Sequence, residues 1–242
     1  MFKTRSEELE LMDDLHLSND ALRKNLEELE FINKWLGGNA VVTNALDKIA
    51  EKHSFHHQPL VIADLGCGGG DILRYVANWA RKKQLPASLT GIDANLFMVE
   101  YARQQCAAYP NISVTQENIF APNFVQKTFD IIICSLFCHH FTTSELIALF
   151  RQLQLQAHTA VIINDLHRHP LAYYSIKWLT KLFSGSYLVK NDAPLSVLRA
   201  FQKSEIKHIM AAAGITNYSL QWQWAFRWQI IIYKNDLINS KI

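Results

Sequence analysis

Leu22, Leu26, Leu29, Ile32 and Leu36 recur three or four positions apart, which places them on one face of a helix. Ser18-Asn19-Asp20 supplies capping side chains in front, and Gly37-Gly38 can end the helix in a left-handed turn. A second helix is predicted from about Asn39 to Ala50, so residues 1–58 read as a helical extension that lids a pocket or contacts a second subunit. From Leu60 the rhythm changes. Apolar runs at Leu60–Asp64, Ser88–Asp93, Ile112–Gln116, Phe129–Ser135 and Thr159–Asp165 predict strands, with helices over Asp71–Lys83, Leu96–Ala108 and Thr143–Leu155 between them. Short, continuously apolar strands separated by helices indicate a mostly parallel sheet covered on both faces, a doubly wound α/β core.

Beyond Asp165 the alternation stops. Residues 167–200 contain Pro170, Gly185, Pro194 and two aromatic-rich patches, and predict an insertion folded over the C-terminal edge of the sheet. Ser204–Ala213 reads as a helix ended by Gly214, and Ile215–Gln221 with Phe226–Tyr233 as a closing antiparallel hairpin. Residues 59–242 are therefore expected to form one α/β domain.

With 49% apolar and 19% charged residues over 242 positions, the chain can bury a full core, which excludes disorder and a stapled mini-protein. No apolar run approaches the roughly 18 to 20 residues of a spanning helix, and the N-terminus leads into acidic sequence, so a cytoplasmic protein is expected. Cys67, Cys106, Cys134 and Cys138 form no C-x-x-C pair and read as reduced, buried residues. His53, His56 and His57 lack a nearby Cys or carboxylate set and read as an exposed connector, and no metal is expected.

Lys and Arg against Asp and Glu count 7 to 11 in residues 1–60, 7 to 8 in 61–166 and 10 to 3 in 167–242, so the excess positive charge lies at the C-terminal end with Trp222, Trp224 and Trp228. The basic residues stand singly between apolar ones, which suits a solvated face better than a nucleic-acid surface.

Four of the nine glycines lie in Asp64-Leu65-Gly66-Cys67-Gly68-Gly69-Gly70-Asp71, between an apolar strand and a helix, where a doubly wound sheet binds its ligand. A dinucleotide fingerprint starting at Gly66 would need glycine at position 71, where Asp71 stands, and a carboxylate there opposes a pyrophosphate. No G-K-[ST] follows. A phosphate-free ligand with an ammonium end fits carboxylates such as Asp64 and Asp71 better.

Asp64-x-Gly66-x-Gly68-x-Gly70 resembles the first motif of class I S-adenosylmethionine-dependent methyltransferases, and the similarity covers about residues 59–233. The resemblance implies a Rossmann-like fold with S-adenosylmethionine as cofactor and S-adenosylhomocysteine as product. It further implies that Asp93, 27 residues after Gly66 at the end of Gly91-Ile92-Asp93, accepts from both ribose hydroxyls, and that Ala94 and Met98 sandwich adenine. Asn118 stands where many members have Asp; its amide oxygen can still accept from the adenine amino group, with Ile119 offering a backbone donor. In Cys134-Ser135-Leu136-Phe137-Cys138-His139-His140-Phe141 the family's strand end faces the methionine part and the acceptor, so Ser135 is a candidate cofactor contact.

A methyl acceptor with a phenolic hydroxyl needs a base. His139 is one candidate, with His140 expected to be satisfied by neighbouring backbone. His167 is the other, paired with Asp165 two residues earlier, which an extended backbone would place on the same side. Tyr173, Tyr174, Trp178, Phe183 and Tyr187 of the insertion are candidate walls for an aromatic or apolar acceptor, and with Lys177, Lys181 and Lys190 would suit peripheral contact with a membrane. The sequence thus points to methyl transfer to a small molecule, foremost a phenolic oxygen, by a monomer or homodimer. C-methylation of a quinone precursor, an RNA-binding or RNA-modifying role and a nucleotide-dependent oxidoreductase are the alternatives.

Overall fold

The computed structural model describes residues 1–15, 17–18, 20–53, 55 and 59–234. Asn19, His56 and His57, which the sequence reading placed in a cap and a connector, lie outside the described residues.

The seven strands are β1 (Leu60–Leu65), β2 (Ala87–Asp93), β3 (Ile112–Gln116), β4 (Phe129–Ser135), β5 (Ala157–Leu166), β6 (Tyr218–Gln223) and β7 (Arg227–Tyr233). They form one sheet in the order β3-β2-β1-β4-β5-β7-β6, parallel except for β7, which runs antiparallel to both β5 and β6. The helices are α1 (Asp20–Trp35), α2 (Gly38–Ala50), α3 (Asp71–Lys82), α4 (Leu96–Gln105), α5 (Pro122–Val125), α6 (Thr143–Gln156), α7 (Pro170–Phe183), α8 (Tyr187–Arg199) and α9 (Lys203–Ala212). No helix among the described residues is long and apolar enough to cross a membrane.

The unbroken apolar runs of the central strands follow from burial on both faces. Ile131 and Ile133 of β4 pack with Leu46, Ile49, Leu73 and Val76 from α2 and α3. Ile132 and Cys134 pack on the other face with Leu149, Leu153 and Ile209 from α6 and α9. All four cysteines are free and buried.

The N-terminus differs from the sequence reading: it is helical only from Asp20, residues 1–10 are irregular and Leu11–Asp13 forms a turn of 3₁₀ helix. This stretch is held by distant partners. Arg5 donates to the carbonyls of Arg199 (2.7 Å), His139 (3.0 Å) and Phe141 (2.8 Å), and the Leu11 and Met12 amides donate to the Asp192 carboxylate (2.9 and 3.1 Å). Buried Arg168 donates to the Phe2 carbonyl (3.2 Å) and to Glu205 (2.5 Å). The segment over 167–200 is a helical hairpin of α7 and α8, with α8 running through Pro194.

Candidate active site

The strand ends β1, β2 and β4 and the N-terminal strap enclose a cavity of about 690 Å³, within the range of small-molecule sites. Gly66 and Gly68 form its floor in left-handed conformation (φ +67° and +48°). A Cβ on Gly66 would stand 2.1 Å from the Phe137 ring, so only glycine permits this approach.

Asp93 lines the cavity at the end of β2. One carboxylate oxygen accepts from the Gly68 amide (3.0 Å) and the other from the Asn95 amide (3.0 Å). Each oxygen keeps a lone pair for a further donor, as a ribose diol requires. Burial pushes its pKa above the ordinary carboxylate range, against the opposing pull of those backbone amides. Ala94, Met98, Asn118 and Ile119 also line this cavity. The Asn118 side-chain oxygen accepts from the Phe120 amide (2.9 Å), which fixes the side chain and leaves one lone pair outward.

Two predicted cofactor contacts stand outside the lining. The Ser135 hydroxyl bonds to Asn164 Nδ2 (2.9 Å). Asp64 is buried beneath the glycine loop, and one oxygen each of Asp64 and Asp71 has no hydrogen-bond partner among the described residues. Burial, then the charges of Asp71 and Asp93, push the Asp64 pKa well up, and a cationic group beside the loop would favour its ionised form.

Residues 62–155 match the family model described as a methyltransferase domain. That stretch runs from β1 through α6 and so contains the glycine loop and the ends of β2, β3 and β4. No curated protein matches its sequence. Among solved structures it is similar in fold to the plantazolicin methyltransferase BamL in complex with a triazolic desmethylPZN analog and SAH, at 16% identity and TM-score 0.64 over 87% of this chain and 90% of that one. It is similar to the magnesium protoporphyrin IX methyltransferase ChlM from Synechocystis PCC 6803 with bound SAH, at 20% identity and TM-score 0.54 over 84% and 87%. The CurJ carbon methyltransferase matches at 15% identity and TM-score 0.59 over 81% and 53%. The 690 Å³ cavity, with its glycine floor and the Asp93 carboxylate on its wall, fits S-adenosylmethionine, the cofactor that the glycine motif implies.

A second cavity of about 380 Å³ adjoins the first, sharing Met12, Leu136 and His140 with it. Its walls are mainly apolar: Leu29 and Ile32 from α1, Ile176 and Leu179 from α7, and Trp222 and Trp224 from the β6–β7 hairpin. The C-terminal tryptophans are thus accounted for, since Trp228 is buried against the sheet and its indole donates to the Phe201 carbonyl (3.0 Å). Leu136, at the junction, has φ +52°, and Ala225 and Phe226 in the hairpin wall have φ +60° and +56°; strained backbone of this kind persists where surrounding structure fixes it, often at functional sites. The expected aromatic walls lie elsewhere. Tyr173 packs beneath Phe2, and Tyr174, Trp178, Phe183 and Tyr187 are exposed, because α7 turns its smaller and aliphatic face, Ala172, Ser175, Ile176 and Leu179, to the cavity.

The polar groups of the second cavity gather at the junction. His139 Nδ1 lies 2.8 Å from Asp165 Oδ1, and the His139 amide donates to Asp165 Oδ2 (3.1 Å). Asp165 is fully buried, yet the His139 ring and the Leu166 amide hold its pKa below the ordinary carboxylate range in spite of that burial. This corrects the expected Asp165–His167 pair. His167 Nδ1 instead accepts from the Trp222 indole (3.3 Å), and its ring packs on Trp228, with burial first and then the His169 and Arg168 charges lowering its pKa. His140 is likewise not held by neighbouring backbone: its Nδ1 lies 2.6 Å from Asp13 of the strap.

Sequence reasoning missed Glu10 and Asp13. Glu10 is 4% exposed, with one oxygen accepting from Ser196 (2.8 Å) and the other 3.6 Å from His139 Nε2. Burial raises its pKa to about 7 against the pull of His140 and the Ser196 hydroxyl. Asp13 accepts from Arg199 (2.5 Å). The signal was faint: acidic residues in an irregular N-terminus ordinarily read as solvated.

Proposed function

We propose that this methyltransferase moves the methyl group of S-adenosylmethionine to the hydroxyl oxygen of a flat, largely apolar small molecule, a phenol. The observation that carries this reading is the junction: the apolar 380 Å³ cavity adjoins the glycine-floored cavity, with His140 lining both and the His139–Asp165 pair beside it. When bound, the cofactor supplies a sulfonium-activated methyl group. The chain's part is to align the acceptor oxygen in line with that methyl, to exclude water and to promote loss of the hydroxyl proton. Asp165 orients the His139 ring, and the His139 cluster at the junction, rather than His167, is where that proton is lost. Residues 1–13 and α1 act as the lid, since Met12, Leu29 and Ile32 close the acceptor cavity that the sheet edge leaves open. Asp93 holds the ribose, and Gly66, Gly68, Ala94, Met98, Asn118 and Ile119 shape the rest of the cofactor site.

Incubation of the purified chain with methyl-labelled S-adenosylmethionine and a panel of phenols and hydroquinones tests the reading. A labelled methyl ether and S-adenosylhomocysteine in equal amounts are expected. Label appearing on ring carbon, or no methylated phenol while S-adenosylhomocysteine binds, overturns the choice of acceptor.

A further inference from the structure

We propose that Glu10, His139 and His140 form a binding site for a first-row divalent cation, zinc(II) foremost. One donor atom from each lies within 4.8 Å of the other two, the one such group among the described residues. Donors about 2.0–2.1 Å from a tetrahedral zinc stand roughly 3.3 Å from one another; His139 Nε2 is already 3.6 Å from Glu10 Oε1, and the 4.8 Å bound on the other pairs leaves at most about 1.5 Å of closure.

Three features set this cluster apart from a chance gathering of polar groups. First, both imidazoles have Nδ1 against a carboxylate, His139 on Asp165 (2.8 Å) and His140 on Asp13 (2.6 Å), leaving Nε2 of each for a ligand. A carboxylate behind each metal-binding histidine fixes the ring and raises its basicity, and is the usual outer shell of such sites. Second, the Glu10 side chain is 2% exposed; Ser196 holds Oε2, while Oε1 has no hydrogen-bond partner. An open carboxylate oxygen in that setting is costly unless a cation takes it. Arg199 does not: its Nε is 3.9 Å from Oε1, beyond hydrogen-bonding distance, and its Nη1 is on Asp13. Third, the cluster faces ligand space, since Glu10, His139 and His140 all line the acceptor cavity and His140 also lines the cofactor cavity.

Two imidazoles and one carboxylate suit zinc, iron(II) or manganese(II), whereas magnesium and calcium prefer a set of oxygens. Three protein ligands leave a position open toward the acceptor. The role assigned to the cation rests on the reading under Proposed function. Its charge favours release of the acceptor's hydroxyl proton to solvent, the oxygen lone pair then forms the O–CH₃ bond, and the C–S bonding pair stays on sulfur. His139 then serves as a ligand and Asp165 as its positioning residue. The site itself does not depend on the identity of the acceptor.

The full-length chain, stripped with a chelator and dialysed, is titrated with zinc(II) against a chromophoric chelator. One tightly held zinc per chain is expected, with affinity reduced at least roughly 100-fold in Glu10→Gln and His140→Ala and roughly 10- to 100-fold in Asp13→Asn. Cobalt(II) substitution should give d–d absorption bands in the wild type that are lost in Glu10→Gln. Circular dichroism melts establish that each variant is folded, and Asp13→Asn with the wild-type cobalt spectrum carries the test if the others are not. No saturable metal in the wild type, or zinc affinity unchanged in Glu10→Gln, overturns the site. Undiminished phenol methylation by the stripped enzyme in chelator overturns the cation's role and leaves the acceptor reading standing. A bound zinc without any phenol methylated does the reverse.

Discussion

Asp165 reaches across 26 residues of sequence to place its Oδ1 2.8 Å from His139 Nδ1, while His167, two positions further along the same chain, turns to Trp222. The parallel register explains the choice of partner: Cys134 and Ser135 lie beside Ile163 and Asn164, so the turn that follows β4 comes down next to Asp165. His167 continues β5 along β7, its amide donating to the Phe226 carbonyl (2.7 Å).

Replacing Asp165 by Asn keeps the size of the side chain but removes the charge that orients the His139 ring. The expected outcome is a fall in kcat of roughly 100-fold, the scale of a lost proton-transfer group, with S-adenosylhomocysteine affinity within about twofold of wild type. His167→Ala should leave kcat within about threefold, since its ring belongs to the tryptophan wall. Steady-state kinetics beside calorimetric binding separate the two; an equal loss in both variants would return His167 to the chemistry.

Cofactor affinity should depend on pH through Asp93. Its carboxylate accepts ribose hydroxyls, and protonation removes an acceptor, so the ligand prefers the ionised form. Because burial places the pKa above the usual carboxylate range, S-adenosylhomocysteine binding is expected to weaken as pH falls through that raised value, by up to about tenfold per unit, and to be level above it. The ligand's own amino and carboxyl groups do not titrate between about pH 4.5 and 7, and comparison with Asp93→Ala separates the Asp93 contribution from that of other groups. Asp93→Ala should bind at least about tenfold more weakly throughout and lose that slope. An affinity and a pH slope equal in wild type and Asp93→Ala would place the ribose elsewhere.

The strands and the glycine-floored cavity were legible because their signals are local. Leu60–Leu65, Phe129–Ser135 and the glycine loop carry pattern and chemistry within a few residues, and motif order along the chain matches strand-end order along the sheet. The acceptor cavity was not legible in the same way. Glu10, Asp13 and Arg5 meet partners more than 120 residues distant, and nothing in their own surroundings marks Glu10 as buried or the other two as half-buried. The sequence marks an insertion at 167–200 and its aromatics, but not which face of α7 turns inward, and the aromatic face turned out. Asp165 and His167 share a strand side in an ideal extended chain, yet the nearer imidazole came from the adjacent strand's turn.

The strap is expected to depend on Arg5. Its guanidinium meets three carbonyls on two different segments and lies 4.5 Å over the Phe201 ring. Arg5→Ala leaves those carbonyls short of a donor and should cost about 3 kcal/mol in chemical unfolding, on the scale of hydrogen bonds to a charged group. Because the strap closes the acceptor cavity, the acceptor KM should rise at least about fivefold, and trypsin should cut after Lys3 faster than in wild type. A stable variant with unchanged KM would mean that Met12 and Glu10 hold their places without the Arg5 anchor.

Two glycines separate backbone strain from steric exclusion. Gly66 and Gly214 share a left-handed backbone (φ +67° and +76°), but a Cβ on Gly214 meets nothing within 4 Å, whereas one on Gly66 meets the Phe137 ring at 2.1 Å. Gly214→Ala therefore carries the conformational penalty alone, about 1 kcal/mol, or roughly 2–4 °C in Tm. Gly66→Ala adds displacement of Phe137 from the cavity wall and should cost about 3 kcal/mol. The displaced ring moves into the cofactor cavity, so S-adenosylhomocysteine affinity should fall at least about tenfold in Gly66→Ala and stay unchanged in Gly214→Ala. Equal melting shifts in the two variants, with cofactor affinity intact in both, would show that Phe137 swings aside freely and that the approach over Gly66 does not define the floor.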